Sequence, residues 1–217
     1  MRITSQLIAA SLCFGTGLAR PSSAPPQYVG YLVSTFSDPN PQVQWHLSEG
    51  NDASRFRFLN DGNAVLTSNV GTKGVRDIFL TTNSERTEYF TIATGKSRTT
   101  SRCLEPVMLI ICDTDLDINA EGFSWYQATT KGSLGLVIWS SKNLVDWSEP
   151  SLRIIEDPTG GMAWAPSAVW DDETQQYFVF WASRHYAAAD TEHTGQPKLG
   201  RIRSFNILAP QARTRVS

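Results

Sequence analysis

The feature that most constrains this chain is a short strand-like phrase that recurs along it. Tyr28-Val29-Gly30-Tyr31-Leu32-Val33, Glu88-Tyr89-Phe90-Thr91-Ile92-Ala93 and Tyr177-Phe178-Val179-Phe180-Trp181-Ala182 are rich in aromatic and β-branched residues. Each is followed by a hydroxyl residue, Ser34, Thr94 or Ser183. Such side chains favour a pleated, half-buried backbone, so each phrase is predicted to be a buried strand. A second phrase follows the first. Gln42–Ser48 resembles Leu134–Ser140 and, more weakly, Gly200–Ser204. After Ser140, Asn143-Leu144-Val145-Asp146-Trp147 reads as a turn leading to an outer-strand aromatic. Helical periodicity is almost absent, and the predicted class is all-β.

The spacing of the repeat carries further information. Ser34 to Thr94 is 60 residues and Ser140 to Ser204 is 64, but Thr94 to Ser183 is 89 and Ser48 to Ser140 is 92. Both long intervals contain residues 95–114, and without those 20 residues they become 69 and 72. One insertion therefore explains both excesses. The segment changes character too, from the basic stretch Lys96–Arg102 to the bare apolar run Val107–Cys112. Its edges, Gly95-Lys96-Ser97 and Thr114-Asp115, are compatible with splice-site codons, and it reads as a retained intron; the alternative is an ordinary surface insertion, which loops tolerate. Self-similarity built from strands alone marks the blades of a β-propeller.

Composition narrows the class of partner. The 217 residues are 41% hydrophobic and 18% charged with a net charge of −2, as expected of one soluble globular domain. No basic stripe invites nucleic acid. Seven tryptophans suit either a sugar-stacking surface or core filling. At the N-terminus, Arg2, the apolar run Leu7–Leu18 and Ala19 read as a cleaved export signal over residues 1–19, with a Ser/Pro-rich linker over 20–27. The run is too short to span a membrane, and a buried N-terminal helix is the alternative. The expected location is extracellular. Cys13 lies in the signal and Cys103 and Cys112 both lie in the insertion, so no disulfide framework is expected. The chain has no Gly-x-Ser-x-Gly elbow, His-Glu-x-x-His helix, phosphate loop or Cys/His cluster, and no metal or cofactor is predicted.

Several phrases taken in order resemble the fungal and bacterial branch of glycoside hydrolase family 43. They are Val65–Ser68, Gly74–Leu80, Tyr89–Thr94 joined to Asp115-Leu116-Asp117, and Val137–Ser141 with Leu144–Ser148. Trp164-Ala165-Pro166, Phe180–Ser183 and His193-Thr194-Gly195 complete the series, which covers Tyr28 to about Gly200. The resemblance implies a five-bladed β-propeller, of which residues 28–206 make up about half. It also implies a central funnel with three carboxyl groups: an Asp general base, a Glu general acid and a second Asp that tunes the acid. The chemistry implied is inverting hydrolysis of arabinosides, xylosides or related sugars in plant oligo- or polysaccharides. Inverting pairs stand roughly 6.5–9.5 Å apart to admit the attacking water, so different blades can supply them.

By this resemblance Asp77 is the candidate base, the alternative being a strand-start carboxylate without chemistry. Arg76 beside it is a candidate for pairing with a carboxylate or tuning it. The family usually has Asp-Pro here, where this chain has Asp77-Ile78. Trp164 is a candidate stacking platform for a sugar ring, or else an aromatic plug between blades. Ser167 stands where the family often carries a carboxylate. Asp115 and Asp117 are candidates for reaching sugar hydroxyls, or solvated turn residues. Asp171-Asp172-Glu173 reads as a hairpin turn without chemistry. The other two catalytic carboxylates are expected beyond about Gly200, where residues 207–217 lose the repeat and turn basic. Three readings compete: a secreted glycosidase, inactive as this chain; a non-catalytic carbohydrate-binding propeller fragment; and the unstable product of a damaged gene.

Overall fold

The computed structural model describes residues 29–37, 40–71, 73–95 and 123–199. The export signal, the linker, the insertion beyond Gly95, Asp115, Asp117, the Gly200–Ser204 phrase, the tail and all three cysteines lie outside the described residues.

What is described is all-β apart from one short helix and a single 3-10 turn, and it is built from antiparallel sheets whose strands follow chain order. The first sheet comprises β1 (Leu32–Thr35), β2 (Gln44–Glu49) and β3 (Asp52–Phe58). The second comprises β4 (Arg76–Thr82), β5 (Tyr89–Gly95), β6 (Gly135–Ser141) and β7 (Ser151–Ile154). The helix α1 (Trp125–Thr130) lies in the chain between β5 and β6. A hairpin, β8 (Trp164–Asp171) with β9 (Gln176–Ala182), and the two-residue pair β10 (Arg184–His185) and β11 (Lys198–Leu199) complete the order. No described helix is long and apolar enough to cross a membrane.

The four-stranded sheet is central because its middle strands are apolar on both faces. Along β6, Leu136 and Ile138 join Phe90, Ile92, Tyr177, Val179 and Trp181 in one core. The alternate residues Val137 and Trp139 join Val43, Trp45, Leu66, Val75 and Ala93 in another. Period-2 alternation thus sends successive side chains into two different cores, and a strand covered on both sides reads as an unbroken apolar run. Leu136, Val137 and Ile92 are fully buried and Trp139 nearly so. Each such side chain contributes about 1.5–3 kcal/mol by leaving water. Through these two cores the first sheet, the four-stranded sheet and the β8–β9 hairpin stack face to face.

Two strand expectations shift. Of the phrase Tyr28–Val33, the described residues Val29–Val33 give regular strand only from Leu32. Ser48 explains the delay: its side-chain oxygen accepts the Tyr31 N–H at 2.8 Å, diverting the first ladder bond from the backbone. Trp147, expected on an outer strand, instead makes an isolated bridge to Ser141 and packs edge-on against Trp45 with ring centres 5.5 Å apart. It closes the seam between the first two sheets, and the outer strand is β7. The Asn143 turn forms as expected, its Oδ1 accepting the N–H groups of Val145 and Asp146. The Asp171 turn also forms. Its carboxylate accepts from the Thr174 hydroxyl and the Glu173 N–H, which hold it below the usual carboxylate range.

Candidate active site

The inner strands of two neighbouring sheets begin in the same way. In β4, Arg76 pairs with Thr94 and pairing resumes at Phe79 with Ile92, leaving a bulge between them. In β8, Trp164 pairs with Ala182 and pairing resumes at Ser167 with Phe180. Asp77 and Ala165 therefore occupy equivalent positions, and both adopt the left-handed conformation, with φ of 51° and 50°. Left-handed backbone costs an L-residue roughly 1–2 kcal/mol, so neighbouring contacts must hold it there. Bulges re-aim side chains and gather near functional sites.

Thr94 supplies those contacts. Its buried hydroxyl donates to Asp77 Oδ2 at 2.9 Å and accepts the Ala165 N–H at 3.0 Å. One side chain thereby fixes two bulges belonging to different sheets. Among the described residues, this is the hydrogen bond that holds the Asp77 carboxylate.

The bulges open onto a cleft of about 460 Å³ lined by Ser34, Thr35, Phe36, Asp77, Ile78, Ala165 and Pro166. The first sheet, the four-stranded sheet and the β8–β9 hairpin all contribute, each through its leading described strand or the residue just after it. Asp77 is the carboxyl group of this lining, and it is half-buried. Arg76 lies over the Phe36 ring, its guanidinium carbon 4.9 Å from the ring centre, which ties the end of β1 to the start of β4. Trp164 is half-buried one residue before Ala165, and its ring meets that of Trp125 at 6.4 Å and 68°. The wall of the cleft beside it is made by Ala165 and Pro166. Sequence reasoning assigned no role to Thr94, Ser34 or Phe36. Their signal was present in two cases, because Ser34 and Thr94 are the hydroxyl residues that follow the first recurring phrase.

A second polar framework borders this region. Glu156, buried in the approach to β8, accepts a hydrogen bond from the Trp181 indole N–H at 2.6 Å. His193 stacks on Tyr186 with ring centres 4.3 Å apart, and its two ring nitrogens face the carbonyl oxygens of Thr130 and Pro158. These contacts fasten the loop after β10 to α1 and to the loop before β8.

Three antiparallel sheets thus meet at one half-buried aspartate. The chain belongs to the family described as "Probable glycosyl hydrolase domain", related to glycoside hydrolase family 43; the family matches residues 26–102 and 102–203. The chain is also 33% identical, over 165 residues, to an α-L-arabinofuranosidase of Bifidobacterium longum subsp. longum. That similarity covers 72% of this chain and 13% of the relative, so the chain spans a small part of the protein it matches. No solved structure matches the chain.

Proposed function

We propose that the three stacked sheets are blades of a five-bladed propeller, and that the cleft they share is the sugar site of a secreted glycosidase. In this reading Asp77 is the general base of inverting hydrolysis. It activates water on one face of an arabinose or xylose unit of an oligo- or polysaccharide. The observation that carries the reading is the fixation of Asp77: a bulge, a left-handed backbone and the Thr94 hydroxyl all aim one carboxylate into a cleft fed by three sheets. Family membership and the similarity to an arabinofuranosidase support arabinose-containing substrates. Export through residues 1–19 belongs to the same proposal.

Inversion needs an acid on the opposite face of the sugar, and the cleft lining offers Asp77 as its carboxyl group. That observation favours a second reading, in which this chain binds carbohydrate without turning it over. The 217-residue chain is therefore expected to bind arabinose-containing sugars with no measurable hydrolysis. A longer protein that contains this domain and also supplies the acid is expected to hydrolyse aryl arabinosides. There, Asp77→Asn should cut turnover by about two to four orders of magnitude while leaving the thermal melt in place. Asn tolerates the left-handed conformation, so the exchange tests chemistry rather than folding. A folded Asp77→Asn enzyme with near-wild-type turnover would place the base elsewhere.

A further inference from the structure

Two large aromatic side chains stand exposed side by side on α1: Trp125 and Tyr126, each 59% exposed. Such surface is costly to leave in water, and the two residues are not loosely hung. Trp125 is braced by Phe123, whose ring meets it perpendicularly at 4.8 Å, and by Trp164 at 6.4 Å. The Tyr126 hydroxyl donates to the His193 carbonyl at 3.4 Å, tying the helix to the following loop. Ser124 caps α1 by accepting the Gln127 N–H, and the helix Trp-Tyr-Gln-Ala-Thr-Thr contains no charged residue. The result is a rigid, uncharged aromatic ledge.

Its position links it to the cleft. Trp164 touches Trp125, and Ala165, the next residue, is held by the same Thr94 hydroxyl that holds Asp77. Resting on the sugar reading of the cleft, we infer that Trp125, backed by Trp164, stacks a further sugar ring of an arabinose-containing oligosaccharide whose first ring lies beside Asp77. The apolar C–H face of a sugar packs on an indole, and a neutral ring suits an uncharged platform. The charges that adjoin the helix already have partners, Lys131 with Glu192 and Arg184 with the Thr129 hydroxyl. Trp125 is thus a length-specificity residue, and the ledge makes the protein prefer oligosaccharides to single sugars.

The test titrates the full chain calorimetrically with arabinose and with linear arabino-oligosaccharides of two to five units. Wild-type affinity should rise with length. Trp125→Ala should remove that gain, weakening the longer ligands about tenfold, while arabinose binding stays unchanged. Trp125→Phe should keep most of the gain. Asp77→Gly, which suits the left-handed backbone, should weaken every length alike. If Trp125→Ala binds the longer sugars as tightly as wild type while Asp77→Gly does not, the ledge is wrong and the cleft reading stands. If sedimentation shows that Trp125→Ala abolishes a wild-type dimer and leaves sugar binding untouched, the ledge is a protein contact instead. If no oligosaccharide binds the wild-type chain, the sugar reading of the cleft falls and takes the ledge with it.

Discussion

Replacing Thr94 by Val keeps the shape of the side chain and removes the hydroxyl that serves two sheets. Two hydrogen bonds disappear: one donated to the Asp77 carboxylate at 2.9 Å and one accepted from the Ala165 N–H at 3.0 Å. A hydrogen bond to a charged partner is worth about 1.5–3 kcal/mol and a neutral one about 0.5–1.5. Ala165 is exposed, so its amide regains a water partner and its share is small. Asp77 keeps its left-handed backbone without the bond that offsets the strain. The expected loss is therefore about 2 kcal/mol, or roughly 4–8 °C in melting temperature for a domain of this size. Thr94→Ser retains the hydroxyl and sheds one methyl, at about 0.8 kcal/mol. Urea unfolding of both variants supplies the comparison. A double-mutant cycle of Thr94→Val with Asp77→Gly should show coupling of at least ~1 kcal/mol. A Thr94→Val chain within ~0.5 kcal/mol of wild type, or simple additivity in the cycle, would refute the idea that this hydroxyl locks the site.

Tyr177 is 1% exposed with a hydroxyl that finds no hydrogen-bond partner among the described residues, and burial together with the nearby Glu88 charge pushes its phenol up to about 12. The folded protein then keeps a proton that the unfolded chain releases near pH 10. Stability present below pH 10 should fall as pH rises toward 12, and thermal melts of Tyr177→Phe should lack that share of the decline while being equal or up to about 1 kcal/mol better at neutral pH. Gly161→Ala would place its Cβ 2.4 Å from the Thr129 carbonyl oxygen and 3.1 Å from the Tyr186 ring, a clash with backbone that α1 cannot relieve by a rotamer change. Urea midpoints should report a loss of about 1–3 kcal/mol.

The strands were legible because their side chains state where they go. Leu136 to Trp139 is apolar without interruption, and only a strand between two cores can use such a run. The turn at Asn143 was equally legible, because its side chain mimics a backbone acceptor over the next residues. Asp77 was singled out by the family resemblance of its phrase rather than by local chemistry, and it lies among the first residues of an inner strand. The short helix was not legible, because the six residues of α1 contain too little periodicity to signal a face, and their cap, Ser124, lies between two aromatic residues, Phe123 and Trp125, rather than ahead of a periodic apolar run.

The site itself depends on a property that side-chain pattern does not encode. Arg76-Asp77-Ile78 and Trp164-Ala165-Pro166 share no residue, yet the backbone treats them as one motif, with the same bulge and nearly the same φ at the second residue. What they share is a position: each starts the strand that precedes a recurring phrase, and each must turn its second residue away from the ladder. In β8 that residue is Ala165, and the Pro166 beside it has no N–H to contribute to a ladder bond. In β4 the same turn is made without proline, and Thr94 takes over the anchoring by bonding Asp77 directly. The Asp77-Ile78 departure from the family's usual Asp-Pro thus has a physical counterpart: a hydroxyl on the next strand fixes a bend that a proline ring would otherwise restrict. The same hydroxyl reaches Ala165, so the bend in one sheet is set against the bend in the next, and the carboxylate is placed by the relation between sheets rather than by either sheet alone.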